Sequence, residues 1–213
     1  MLLYYITDRR GFAGTDSEQH AALLRRIAQA ARAGVDYIQL REKDLPDSDL
    51  TNFSRQARQA VRDNSAQTRL LINTRADIAL AVQADGVHLP AGPPPASEVR
   101  AAWLRNTGRE PLIGVSAHTV EDVRLAESHG ATFAVLAPVF GKSATGAKGI
   151  GLDVLREACV TARMPVLALG GVNVANAGAC LEAGAAGVAG IRLFQQSAVA
   201  ETVRQLRELA SAR

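Results

Sequence analysis

The sequence predicts an α/β fold built as one domain, a closed (β/α)8 TIM barrel occupying residues 1–213. Three observations predict it. Eight short runs rich in Val, Ile and Leu alternate with eight amphipathic stretches, and the runs lack strict polar alternation, as strands buried on both faces do. No spare linker separates these units, which favours a closed barrel over an open doubly wound sheet. A related phrase closes successive helices: Ala33-Gly-Val-Asp36, Gln83-Ala-Asp-Gly86, His129-Gly-Ala-Thr132 and Glu182-Ala-Gly-Ala185. A glycine or small residue there can end a helix before the next strand.

The predicted strands, in order, are Leu2–Thr7, Val35–Leu40, Arg69–Asn73, Gly86–Leu89, Leu112–Val115, Thr132–Leu136, Pro165–Leu169 and Gly187–Gly190. The helices are Ser17–Ala33, with Ser17 as N-cap, then Asp47–Val61, Arg75–Val82, Ser97–Arg105, Thr119–Ser128, Leu152–Ala162, Asn173–Ala183 and Ser197–Leu209. Thr119-Val-Glu-Asp122 has the form of a capping arrangement, with acids in a first helical turn. Pro93-Pro-Pro95 reads as a rigid loop, because the pattern resumes directly after it.

Hydrophobic residues make up 47% and charged residues 21%, as in an ordinary globular chain. Aromatics at 4% are too few for a platform that stacks single-stranded nucleic acid. The arginines are scattered over helices, and a net charge of +3 suits solvated faces and anionic small molecules better than a nucleic-acid footprint. Cys159 and Cys180 have no metal-binding spacing and read as core fillers in a reducing compartment. Met1–Arg10 lacks the pattern of a signal peptide, and no apolar run approaches the ~18 residues of a membrane helix. A cytoplasmic protein without membrane or nucleic-acid partners is expected. The oligomeric state stays open, a homo-oligomer included.

In such a barrel, chemistry sits at the carboxyl ends of the strands. Gln39, Arg41 and Lys43 alternate along one extended segment and so share a face, where an anion would partner them. The alternative is an internal salt bridge with Glu42 or Asp44. Asn73 and Ser116 end the third and fifth strands' segments. Gly170 and Gly171 follow strand seven, just before a helix start near Asn173. Gly190 closes strand eight, with Ile191 and Arg192 next. Backbone N–H groups there form a cradle suited to phosphate. His118 stands beyond strand five at a predicted helix start, placed to act as a base or to be structural. His88 also ends a strand. His20 and His129 read as surface residues.

These segments, taken together, carry a resemblance. Tyr5-Ile-Thr-Asp8, Ile38-Gln-Leu-Arg-Glu-Lys-Asp44, Leu71-Ile-Asn-Thr-Arg-Ala-Asp-Ile-Ala-Leu80, Ala84-Asp-Gly-Val-His-Leu89, Ile113-Gly-Val-Ser-Ala-His-Thr119, Pro138-Val-Phe140 and Leu167-Ala-Leu-Gly-Gly-Val172 are similar, in order and spacing, to the thiamin phosphate synthase and TenI family. The resemblance runs nearly end to end. It implies a barrel that binds a phosphorylated thiazole in thiamin biosynthesis. Synthases of this family join a hydroxymethylpyrimidine diphosphate to a thiazole phosphate, with magnesium holding the diphosphate. The TenI branch aromatises a carboxythiazole phosphate without a metal, using as base the histidine that aligns with His118.

The chain departs from the synthase pattern at both metal positions. Thr74 stands where an aspartate follows the strand-three asparagine, and Pro90-Ala-Gly-Pro93 replaces a Gly-Gln-x-Asp stretch. A hard cation needs carboxylate oxygen. The loop Gly141-Lys-Ser-Ala-Thr-Gly-Ala-Lys148 keeps Lys142 as a substrate-binding candidate, and Arg192 replaces a serine. Gln39-Leu-Arg-Glu-Lys43 leans towards the synthases. The loss of both metal ligands, with Leu89-Pro90, leans towards the TenI branch. A tautomerase without a cofactor is therefore the leading expectation. A synthase using Mg²⁺ is the alternative, and a non-catalytic thiazole phosphate-binding regulator a third.

Overall fold

Eight parallel strands close into a barrel in chain order. The computed structural model describes residues 1–141, 148–196 and 198–211. The strands are β1 (Leu2–Ile6), β2 (Tyr37–Leu40), β3 (Arg69–Asn73), β4 (Gly86–Leu89), β5 (Leu112–Ala117), β6 (Phe133–Leu136), β7 (Val166–Ala168) and β8 (Gly187–Gly190). Closure is made by β1 against β8, with Tyr5 opposite Gly190. Around them run α1 (Asp16–Ala33), α2 (Asp47–Arg62), α3 (Ala76–Ala81), α4 (Ala96–Thr107), α5 (Val120–Ser128), α6 (Gly151–Thr161), α7 (Val174–Glu182), α8 (Arg192–Gln195) and α9 (Val199–Ser211).

Strand periodicity divides the side chains between the barrel interior and the layer beneath the helices. Outward residues such as Leu3, Ile38, Leu70, Ile72 and Leu136 pack under the helices with Leu23, Ile27, Phe53 and Leu155. Inward residues Tyr4, Ile6, Leu71, Phe133, Val135, Leu167 and Ala189 fill the barrel itself. Phe133 lies at the heart of that filling. It stacks on Tyr37 at 5.2 Å and meets Tyr4 edge-on at 5.3 Å.

The expected alternation holds, with differences at its edges. The α1 cap is Thr15 rather than Ser17: its hydroxyl accepts the Glu18 N–H, while Glu18 accepts the Thr15 N–H at 2.7 Å. This reciprocal box fixes the start two residues earlier. The expected box at Thr119 and Asp122 forms. The fifth strand extends to Ala117, so Ser116 lies on it. A single 3-10 turn, Arg9–Gly11, and the one-turn α8 were not expected; both are too short to show helical periodicity. The last helix begins at Val199. His20 and His129 are half-buried rather than surface residues, and the His20 ring lies 4.4 Å from that of Phe53. Cys180 is buried, Cys159 half-buried, and both are free. No helix among the described residues is long and apolar enough to cross a membrane.

Phe133 is fully buried and touches aromatic rings on two sides, so Phe133→Ala should remove about 3–5 kcal/mol of stability. Val160, 82% exposed, provides the contrast: Val160→Ala should change stability by about 0.5 kcal/mol or less. Urea unfolding of both variants checks this, and equal losses would refute the central place given to Phe133.

Candidate active site at the barrel mouth

The β1–α1 and β2–α2 loops are tied together by a buried ionic cluster. Glu42 is 4% exposed, yet carries a carboxylate. It accepts the Thr7 hydroxyl at 2.6 Å, the Arg9 N–H at 3.1 Å and the Arg9 guanidinium at 3.3 Å. The same guanidinium grips Asp44 with two bonds of 2.7 Å, and that grip holds the Asp44 carboxyl down to about 2. Thr7 Oγ1 in turn accepts the Arg41 N–H at 3.0 Å. The internal salt bridge foreseen for Arg41 and Lys43 is therefore made by Arg9.

This corrects the expected shared face of Gln39, Arg41 and Lys43. The strand ends at Leu40, so alternation stops before Arg41. Gln39 points into the barrel, 1% exposed, where its Nε2 donates to Tyr4 Oη at 2.8 Å. Arg41 is half-buried at the rim, and Lys43 is exposed on the turn beyond.

Below the mouth a polar chain crosses the barrel. Tyr4 Oη lies 3.0 Å from His88 Nδ1, and His88 Nε2 lies 2.9 Å from Ser116 Oγ. Burial, with the charge of Arg41 adding to it, brings His88 down to about 3, so the imidazole is neutral. Burial likewise pushes the Tyr4 phenol up. His88 and Arg9 are the residues that sequence reasoning undervalued. A histidine at the last inward position of β4 was the available signal for the first. Nothing in the spacing pairs Arg9 with residues over thirty positions away.

His118 is exposed beyond β5, and its Nδ1 lies 2.9 Å from the Ala137 carbonyl. A carbonyl only accepts, so Nδ1 carries a proton and donates it to Ala137 O. Its own N–H donates to Asp122 in the α5 capping box. The next residue after Ala137, Pro138, packs against Gly170, and Phe140 packs against Gly171. A Cβ on Gly170 would come within 2.6 Å of Pro138 Cα, and one on Gly171 within 2.7 Å of Phe140 Cβ. Both glycines also hold φ values of +95° and +69°, which only glycine adopts freely. Among the described residues, neither their amide nitrogens nor that of Ile191 has a hydrogen-bond partner. Gly190 lets α8 fold closely over the strand end, since a Cβ there would lie 2.8 Å from Leu193 Cβ. Arg192 is exposed and forms no ion pair among the described residues. Lys142 lies outside the described residues.

On the third strand, Asn73 is half-buried at the rim. Thr74 follows with φ +60°, its N–H bonded to the His88 carbonyl and its hydroxyl donating to the Asn73 carbonyl, both at 2.8 Å. Arg75 turns away to clamp Asp47 of α2 and Asp77 of α3.

The family model for thiamine monophosphate synthase matches residues 3–194. The chain belongs to that family. It is 39% identical over 193 residues to the putative thiamine-phosphate synthase 2 of Aquifex aeolicus, covering 90% of this chain and 96% of the relative. It is 41% identical over 190 residues to the thiamine-phosphate synthase of Roseiflexus sp., covering 88% and 75%. Among solved structures, the thiamine phosphate pyrophosphorylase of Pyrococcus furiosus superposes with a TM-score of 0.81 at 29% identity, covering 99% of this chain and 96% of that one. The chain is thus an enzyme-family barrel of thiamin biosynthesis.

The magnesium ion associated with synthases of this family finds a poor donor set here. The Thr74 hydroxyl is engaged by its own strand, and Pro90–Pro93 carries no carboxylate. Among the described residues no group of three His, Cys, Asp or Glu side chains could hold a metal ion. At those two positions the residues present do not supply the carboxylate oxygens that would suit the ion.

Glu42 offers a test of the ionic cluster. Burial pushes its carboxyl above the ordinary value, outweighing the pull of Thr7 and Arg9. A carboxyl raised in the folded state binds its proton more tightly there than in the unfolded chain. Stability from this group is therefore fully present below the unfolded value, about 4.3, and falls as pH rises through the higher folded value. Glu42→Gln does not titrate. The stability of the native chain relative to Glu42→Gln should thus decline as pH is raised from about 4 towards neutrality. Urea unfolding across that range measures it. A native advantage that grows with pH would mean that Arg9 outweighs burial.

Proposed function

We propose that this barrel aromatises a carboxythiazole phosphate, moving one proton and needing no cofactor. The observation that carries this reading is the donor set of the mouth. An imidazole stands there whose Nδ1–H donates to the Ala137 carbonyl, which leaves Nε2 for proton transfer, and carboxylates are missing from both positions where the synthase pattern has them. The amides of Gly170, Gly171 and Ile191 would receive the phosphate, while the Gly190 amide stays in the ladder with β1 and its lack of a side chain allows the close turn beside them; the exposed Arg192 would add charge to the same anion. Arg41 and Lys43 would face the substrate carboxylate, with Asn73 and Ser116 beside them. His118 Nε2 would take the proton released as the double bond enters the ring, and the exocyclic carbon would gain one. The bonds to phosphate and carboxylate stay intact.

A second reading is thiamin phosphate synthesis, favoured by the names of the curated relatives, which are thiamine-phosphate synthases. It would join a pyrimidine diphosphate to the same thiazole phosphate, with magnesium bound elsewhere than at residues 74 and 93. One assay separates the two. The enzyme is given pyrimidine diphosphate and thiazole phosphate with and without magnesium, and, separately, the non-aromatic carboxythiazole phosphate. Aromatisation without magnesium-dependent coupling is the expected result; robust magnesium-dependent thiamin phosphate formation would establish the synthase.

His118→Asn should reduce aromatisation by about 10²–10⁴-fold, the usual contribution of a positioned base, while leaving the unfolding midpoint close to native. Turnover at the native rate would remove His118 from the mechanism.

A further inference from the structure

We propose that His88 is a positioning residue whose Nε2–H donates to Ser116 and so turns the Ser116 hydroxyl proton towards the mouth, as a donor to an anionic acceptor on the ligand. The inference rests on the function proposed above for the identity of that acceptor, a carboxylate beside Arg41.

The direction of the chain follows from counting protons. Gln39 Nε2 can only donate, so Tyr4 Oη accepts from it. The one phenolic proton of Tyr4, a fully buried residue, must then find an acceptor, and His88 Nδ1 at 3.0 Å is the acceptor within reach. The ring is neutral, so its proton is on Nε2, facing Ser116 Oγ at 2.9 Å. Ser116 Oγ is thereby an acceptor on its inner side, and its own proton is left for the mouth, where Ser116 is partly exposed. The reverse direction would place Nδ1–H on Tyr4 Oη. That oxygen would then accept twice, and its proton would be buried without an acceptor, an arrangement folded proteins avoid.

The pocket for the ring is built into the sequence. Gly114, opposite His88 on β5, has no side chain; a Cβ there would lie 2.7 Å from His88 Nδ1 and 2.5 Å from Phe133. Arg41 lies near enough for its charge to bear on His88. An anionic acceptor in the mouth would satisfy the outward O–H, and the charge of Arg41, which bears on the same ring, favours an anion there. A ligand presenting an N–H donor to Ser116 would leave the serine proton unpaired.

Two measurements test this. The first uses the native protein with ¹⁵N-labelled histidine. Two-dimensional NMR resolves the tautomer of each of the four histidines, with His88→Phe assigning the resonance of interest. His88 should be the Nε2–H tautomer at neutral pH. An Nδ1–H tautomer, or a mixture, would overturn the proposal whatever the enzyme's reaction proves to be. The second is calorimetry with aromatic carboxythiazole phosphate and with its decarboxylated counterpart. Ser116→Ala and His88→Phe should each weaken the carboxylate ligand by about tenfold or more, the scale of one hydrogen bond to a charged group, and the decarboxylated ligand much less. The double variant should lose no more than either single one, because His88 acts through Ser116. Additive losses, or equal losses for the two ligands, would refute the relay. If the native protein binds neither ligand, the proposed function fails and the tautomer alone decides the relay.

Discussion

The interior of the barrel admits little water, and that exclusion dictates how its polar groups are arranged. Tyr4, Gln39, His88 and Glu42 are each 4% exposed or less. A buried polar group without a partner costs about 1–3 kcal/mol, and a buried unpaired charge more. Each therefore has a partner supplied from another strand or loop. Tyr4 joins β1 to Gln39 of β2 and His88 of β4, and Glu42 joins its own loop to Thr7 and Arg9 beyond β1. The mouth residues are mounted on these partnerships: Arg41 through its N–H on Thr7, Ser116 through its hydroxyl on His88.

The opposite side of the mouth is held by backbone. The His118 ring is fixed by the Ala137 carbonyl, and Pro138 next to it fills the space that glycine leaves at position 170. The base of the proposed reaction and the glycine amides proposed for phosphate thus share one brace. A shift of this segment would move both groups together. Loops on a rigid barrel commonly divide the work in this way, with the scaffold setting positions and the loop ends carrying chemistry.

The barrel was legible in the sequence because strand and helix periods differ and because each unit repeats the same punctuation. That the glycine pair and His118 stand at strand ends was legible because strand ends are few and special residues at them stand out. The Arg9–Glu42–Asp44 cluster was not, since long-range charge pairing leaves no local pattern. The face expected for Gln39, Arg41 and Lys43 failed for a related reason: alternation places residues on one face only while the strand lasts, and β2 ends at Leu40. His88 looked like one strand-end residue among several. Its weight appears only when Tyr4 and Ser116, distant in sequence, meet its two ring nitrogens.

Thr74 joins the family pattern to the chemistry of this chain. Its φ of +60° is a conformation that β-branched residues adopt at a cost on the order of 1–3 kcal/mol, whereas asparagine and aspartate tolerate it better. The backbone at this position therefore suits the aspartate of the synthase pattern, even though the side chain does not. Two hydrogen bonds hold it there: its N–H to the His88 carbonyl, and its hydroxyl to the Asn73 carbonyl. The first of these fastens β3 to the strand that carries His88, so the turn cannot relax without disturbing the chain that ends at Ser116. The backbone of this turn is part of the barrel's interior bonding. The carboxylate is dispensable to that bonding, so it can be lost without loss of the fold. The mouth thus presents Arg41 and Arg192 while Thr74 and Pro93 stand where the synthase pattern has the acids that would hold a cation.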